Sequence, residues 1–146
     1  MEKITKSAGR LLHEISKAAI IYFQNELKGY SIGPAQVKTL LFITENPGLN
    51  QIELANNLNL DKSSITSQLK ILQSNGYITR YTSDKDGRMQ LIKITEKTRE
   101  IIEPLREIFA AWTDILFTGV DKNERDIIID YLEKMRDNAK DRINEK

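Results

Sequence analysis

NQIELANNLNLDKSSITSQLKILQSNGYITRYTSDKDGRMQLIKIT, residues 50–95, changes its hydrophobic period halfway along, and that change decides the fold. Asn50 followed three residues later by Glu53 reads as a capping box opening a short helix through Ile52, Leu54 and Ala55. Leu58-Asn59-Leu60 makes a turn. Asp61 then caps a second helix whose Ile65, Leu69 and Leu72 form one apolar stripe, ending at Asn75-Gly76 where a left-handed backbone is cheap. Two short helices joined by a tight turn outline a helix-turn-helix. Beyond Gly76 the period falls to two. Tyr77–Thr82 and Met89–Ile94 are rich in β-branched and aromatic residues and read as paired strands. The connection Ser83–Arg88 contains Asp86-Gly87, expected to supply the positive φ angles of a hairpin turn with a charged tip. One or two residues near Gly48-Leu49 are expected to add a third strand.

Outward from this stretch the chain is helical. Ile4, Ala8, Leu11, Leu12, Ile15, Ala18, Ala19, Tyr22, Phe23 and Leu27 recur at steps of three and four, predicting an amphipathic helix over residues 3–28 that needs a partner surface. Gly29–Pro34 interrupts it, with Pro34 suited to the first position of a helix carrying Val37, Leu40, Leu41 and Ile43 inward. Thr95 is expected to cap a fifth helix running to about Phe117, with Ile101, Leu105, Ile108, Trp112 and Ile115 along one stripe and a kink near Glu100 caused by Pro104. Asp121 and Glu124 open a sixth, with Ile127, Ile128, Tyr131, Leu132, Met135 and Ala139 expected inward. The fold class is therefore mainly α with a small β-hairpin wing. It is expected to divide into an N-terminal dimerisation helix (1–33), a winged helix-turn-helix lobe (34–97) and C-terminal dimerisation helices (98–146), the dimer being inferred from the apolar stripes of those terminal helices.

Composition narrows the function. The 146 residues are 40% hydrophobic and 29% charged, an ordinary globular balance. No apolar run approaches the roughly 20 residues that span a bilayer, and the charged N-terminal stretch is unlike a secretory signal, so a cytoplasmic protein with no membrane partner is expected. Without cysteine there is no disulfide, thiol nucleophile or thiolate metal site. His13 is the lone near-neutral base, expected to be solvated, with no serine, carboxylate pair or glycine-rich phosphate loop placed around it. No catalytic residue, metal site or cofactor is expected. The net charge of +1 conceals an asymmetry, since residues 61–97 hold seven Lys/Arg against four Asp/Glu while 98–146 hold nine against twelve.

If Ile65, Leu69 and Leu72 point inward, the helical step of about 100° puts Ser63, Thr66, Ser67, Lys70 and Ser74 on the opposite face. Such a small polar surface suits a major groove about 12 Å wide. Any solvated helix also has a polar outer face, but this one adjoins a basic hairpin. Lys85 and Arg88 sit at the tip with Arg80 and Lys93 on the strands, an arm able to place Arg88 in a narrow minor groove. Asp86 is expected to pair with Arg88 and orient its guanidinium; a solvated turn is the bland alternative.

Together, Ile52–Ala55, Leu60–Thr66, Leu72–Arg80, Asp86-Gly87-Arg88 and Leu91–Thr95 resemble, in order and spacing, the multiple-antibiotic-resistance regulator (MarR) family across residues 34–97. The resemblance implies a triangular homodimer with interlocked terminal helices, bound to a pseudo-palindromic double-stranded operator, usually as a repressor released by a small-molecule effector. It assigns Ser63, Ser64, Thr66 and Ser67 to the groove, Arg88 and its partner Asp86 to the wing, and Arg80 to the DNA backbone. Ser67 and Ile71 stand where basic residues are common in the family, and Thr98 where glycine often follows the second strand, a change expected only to alter how the fifth helix starts.

The apolar stripes of the first, fifth and sixth helices independently argue for a dimer, because exposing them would exceed the few hundred Å² of apolar patch usual on monomers. Tyr22, Tyr30, Phe109 and Trp112 are candidates for an effector pocket, against the commoner reading of such aromatics as core. A protein-interaction module built on the same winged helix is the alternative function.

Overall fold

A computed structural model describes residues 7–144. Ile4 and the start of the expected first helix lie outside them. α1 (Ala8–Glu26) begins where the Ser7 hydroxyl accepts the Arg10 amide at 3.2 Å. α2 (Pro34–Glu45) has its proline in the first turn, as read from the sequence. α3 (Gln51–Asn57) and α4 (Lys62–Ser74) form the helix-turn-helix, with Asn59 at φ 52° in the turn between them. β1 (Ile78–Thr82) and β2 (Gln90–Ile94) pair antiparallel from Ile78↔Ile94 to Thr82↔Gln90. α5 (Glu96–Leu116) and α6 (Lys122–Asn144) complete the chain. Contacts divide it into a unit ending at Ala110 and a second beginning at Ala111.

The first unit holds the core. Val37, Leu40 and Ile43 of α2 are buried with Leu54 of α3 and Ile65, Leu69 and Leu72 of α4, and so are Ile78, Ile92, Ile102 and Leu105. Leu41, expected inward, is only half-buried. Thr39 is buried instead, its hydroxyl donating to Oε1 of Gln68 and tying α2 to α4. The expected third strand is a single bridge, Asn50 to Leu91, with the Ile92 amide donating to the Leu49 carbonyl at 3.0 Å.

Two turn expectations need correction. Gly87 does not have positive φ; the left-handed glycines are Gly48, Gly76 and Gly119. The strands close where the Ser83 amide meets the Met89 carbonyl, leaving a connection too long to require a two-residue primed turn. Thr95 does not cap α5 with its side chain. Its hydroxyl donates to the Gly76 carbonyl at 2.6 Å, and Thr98, fully buried, donates to the Tyr77 carbonyl at 2.6 Å. Thr98 thus does more than alter the helix start, because it stitches α5 to the entry of β1. Pro104 lies within α5, which is continuous across it.

In the second unit the Arg125 guanidinium pairs with Asp114 at 2.8 Å and lies 4.7 Å from the Phe117 ring centre. Asp121 opens α6 by accepting the Asn123 amide at 2.9 Å, while its own amide donates to Glu124. The inward stripe expected on α6 is not buried, since no residue of this helix is, and Tyr131 is 64% exposed. On α1 only Phe23 is buried, with Leu11, Leu12, Ile15, Ile20 and Ile21 exposed. On α5, Ile115 is exposed and Ile102 is buried in place of the expected Ile101. The apolar stripes expected inward on α1 and α6 therefore lie largely exposed on this chain. No described helix is long and apolar enough to cross a membrane.

Candidate nucleic-acid interface

The outward face of α4 follows from its inward one. Burial of Ile65, Leu69 and Leu72 turns Ser63, Thr66, Ser67 and Lys70 to solvent. With Lys62 they line a shallow, open concavity of about 600 Å³. Asp61 secures the start of the helix by accepting the Ser64 amide at 2.7 Å, and that backbone amide above all holds its carboxyl below the ordinary carboxylate range. Ser64 itself is half-buried and does not line the concavity. Ser74 turns its hydroxyl back to the Ile71 carbonyl at 3.1 Å.

Hydrogen bonds join this face to the wing. Arg80 of β1 donates through Nη2 to Gln51 Oε1 and through Nε to Gln73 Oε1, each at 3.2 Å. Gln51 donates through Nε2 to the Thr66 hydroxyl oxygen at 2.7 Å, and that hydroxyl donates to the Lys62 carbonyl at 2.6 Å. Arg80 therefore anchors the wing to both helices of the helix-turn-helix while remaining half-buried.

At the tip, Lys85, Asp86 and Arg88 are all exposed. Asp86 accepts the backbone amide of Arg88 at 3.0 Å, and the two side chains form no ion pair among the described residues. The expected guanidinium pairing is thus corrected. Across a span of two residues the nearer donor is the main-chain N–H, and taking it builds an Asx-type turn. A groove of about 420 Å³ runs between the start of α3 and the wing, with Gln51, Ile52, Arg80, Arg88 and Met89 among its walls. Ile52 is 72% exposed there. Lys93 lies 5.2 Å from the Tyr81 ring centre.

Gln51, Lys62 and Gln73 escaped the sequence reading. Lys62 was accessible to the same face count that found Ser63, whereas nothing local to Gln51 or Gln73 announces a partner 29 or 7 residues away.

The aromatic candidates are placed differently. The Tyr22 hydroxyl donates to the Ile108 carbonyl at 2.9 Å, and burial, with Glu26 second, raises its pKa. Phe23 packs against Tyr22 at 5.1 Å and Phe109 at 4.5 Å between ring centres, so Tyr22 and Phe109 converge on a core phenylalanine. Tyr30 offers its carbonyl to the Tyr77 hydroxyl at 2.6 Å. Trp112 belongs to the second unit. His13 is exposed on α1.

A helix-turn-helix followed by a basic hairpin tied to its second helix is a winged helix-turn-helix. Comparison with known proteins gives the family. The model of the MarR family matches residues 32–89. The chain is 30% identical over 110 residues to the HTH-type transcriptional regulator YdgJ of Bacillus subtilis, covering 75% of this chain and 66% of that relative's length. Among solved structures, a MarR protein from Peptoclostridium difficile superposes with a TM-score of 0.81 at 26% identity, covering 97% of this chain and 93% of that one. The transcriptional repressor CouR, bound to a 23-mer DNA duplex, shares the fold with a TM-score of 0.78 at 24% identity, covering 93% and 96%. The chain belongs to the MarR family.

Proposed function

We propose that this protein binds double-stranded DNA as a homodimer with sequence preference, and so represses transcription in the cytoplasm. The observation that carries the reading is the joining of the exposed α4 face to the basic wing through Arg80, Gln51 and Thr66. In this reading Ser63 and Ser67 meet base edges, Lys62 and Lys70 meet phosphates, Arg80 lies along the backbone, and Lys85 and Arg88 reach the minor groove. The duplex held by CouR supports such a role for a chain of this fold. The exposed apolar residues of α1 and α6 support a dimer, which would set two α4 helices in successive major grooves about 34 Å apart. Release by a small ligand is the part that rests on family resemblance.

Anisotropy titration on the DNA upstream of the protein's own gene tests the reading. Tight binding that weakens steeply with salt and exceeds binding to scrambled duplex is the expected result. Equal affinity for every sequence, or none at low salt, refutes it.

A further inference from the structure

Within that DNA-binding reading, on which this inference rests, we propose that Gln51 fixes the hydrogen-bonding polarity of Thr66, so that α4 reads a thymine methyl through the Thr66 methyl. The argument begins at Arg80, whose guanidinium has donors only. The Gln51 atom facing it at 3.2 Å is therefore the carboxamide oxygen, which turns the Gln51 NH₂ toward Thr66 at 2.7 Å. Thr66 must accept that hydrogen bond. Its single proton goes to the Lys62 carbonyl at 2.6 Å, one turn back along the helix. Donation thus runs in one direction, from Arg80 through Gln51 and Thr66 to Lys62.

A hydroxyl has one donor and two acceptor sites, so Thr66 keeps no proton for a base. It cannot serve guanine O6 or N7, adenine N7 or thymine O4, which are all acceptors in the major groove. Its oxygen, held between Gln51 and its own helix, keeps one lone pair to accept with and no proton to give, so toward thymine, whose major-groove edge is O4 and the C5 methyl, the exposed side chain offers its methyl. Ser63 and Ser67, on the same face, have no side-chain partner among the described residues and keep both donor and acceptor capacity. Thr66 is also the one side chain among these three hydroxyl residues that carries a methyl. Gln51 is a positioning residue in this scheme and need not touch DNA.

The test starts from a duplex selected by the wild-type protein from random sequence. Each thymine of a half-site is then replaced by deoxyuridine, which removes only the C5 methyl. One position per half-site is expected to lose about fourfold in affinity, the scale of one buried methyl. Thr66→Val keeps the methyl, replaces the hydroxyl with a second one and should retain that discrimination, whereas Thr66→Ser should lose it. Gln51→Met should weaken discrimination in the wild-type background and leave it unchanged in the Thr66→Val background, where there is no hydroxyl to orient. A purely structural role for Gln51 would affect both backgrounds alike. Thermal melting of each variant establishes that the fold is intact. The inference is overturned if Thr66→Ser discriminates and Thr66→Val does not, or if Gln51→Met changes nothing. Failure of the wild-type protein to select any sequence overturns the DNA-binding reading with it.

Discussion

Removing the Arg88 guanidinium should leave its mark on the salt dependence of binding more distinctly than on affinity at any one salt. Arg88 is exposed, and among the described residues its side chain has no carboxylate partner, since Asp86 is engaged with its backbone amide. In the minor groove it would displace cations condensed on the flanking phosphates. A dimer carries two such side chains, so Arg88→Ala removes two phosphate neutralisations. Each contributes about 0.9 to the slope of log K against log salt, or about 1.8 for the pair. Between about 50 and 200 mM salt the wild-type protein should therefore lose roughly tenfold more affinity than the variant. Arg106→Ala is the control. That guanidinium already pairs with Glu103 at 2.6 Å and Glu45 at 3.2 Å, so its removal should not change the slope. Anisotropy titrations at four or more salt concentrations give both slopes. An Arg88→Ala slope equal to wild type, with the variant still dimeric, would remove the wing from the interface.

Further substitutions probe other parts of the structure. Asp86→Asn retains an oxygen for the Arg88 amide and removes a negative charge beside DNA, so affinity should match or exceed wild type; a loss beyond about tenfold would restore a guanidinium ion pair. Thr98→Gly removes a buried methyl and the hydrogen bond to Tyr77, so urea denaturation should show a loss of about 2 kcal/mol, while an unchanged midpoint would refute the stitch between α5 and β1. Asp61→Ala should lower stability at neutral pH. Because the folded-state pKa is depressed, the carboxylate's contribution is present above the ordinary carboxylate value and lost as pH falls through the folded one, so the gap to wild type should close in acid. Leu132→Glu places a charge on the exposed apolar face of α6 and should shift sedimentation toward the single chain; an unchanged mass at micromolar concentration would clear this face of a role in pairing.

Much of the lobe was legible because its signals are local. Asn50 and Asp61 do cap their helices, and Pro34 sits in a first turn. The α4 stripe buries as its period required. Thr95 and Thr98 were assigned to neighbours in sequence, whereas they bond to carbonyls 19 and 21 residues away; Asp86 does meet Arg88, but at its amide and not its guanidinium. On α3, Leu54 and Ala55 meet the core while Ile52 stays exposed.

From the sequence alone came the order of elements, the winged helix-turn-helix, the apolar stripes and the composition of the α4 face, because capping, period and turn chemistry act over a few residues. Tertiary structure alone decided which donor meets which acceptor between elements. The path from Arg80 through Gln51 to Thr66 exists because β1, α3 and α4 converge, and each carboxamide and hydroxyl has a fixed number of protons to give.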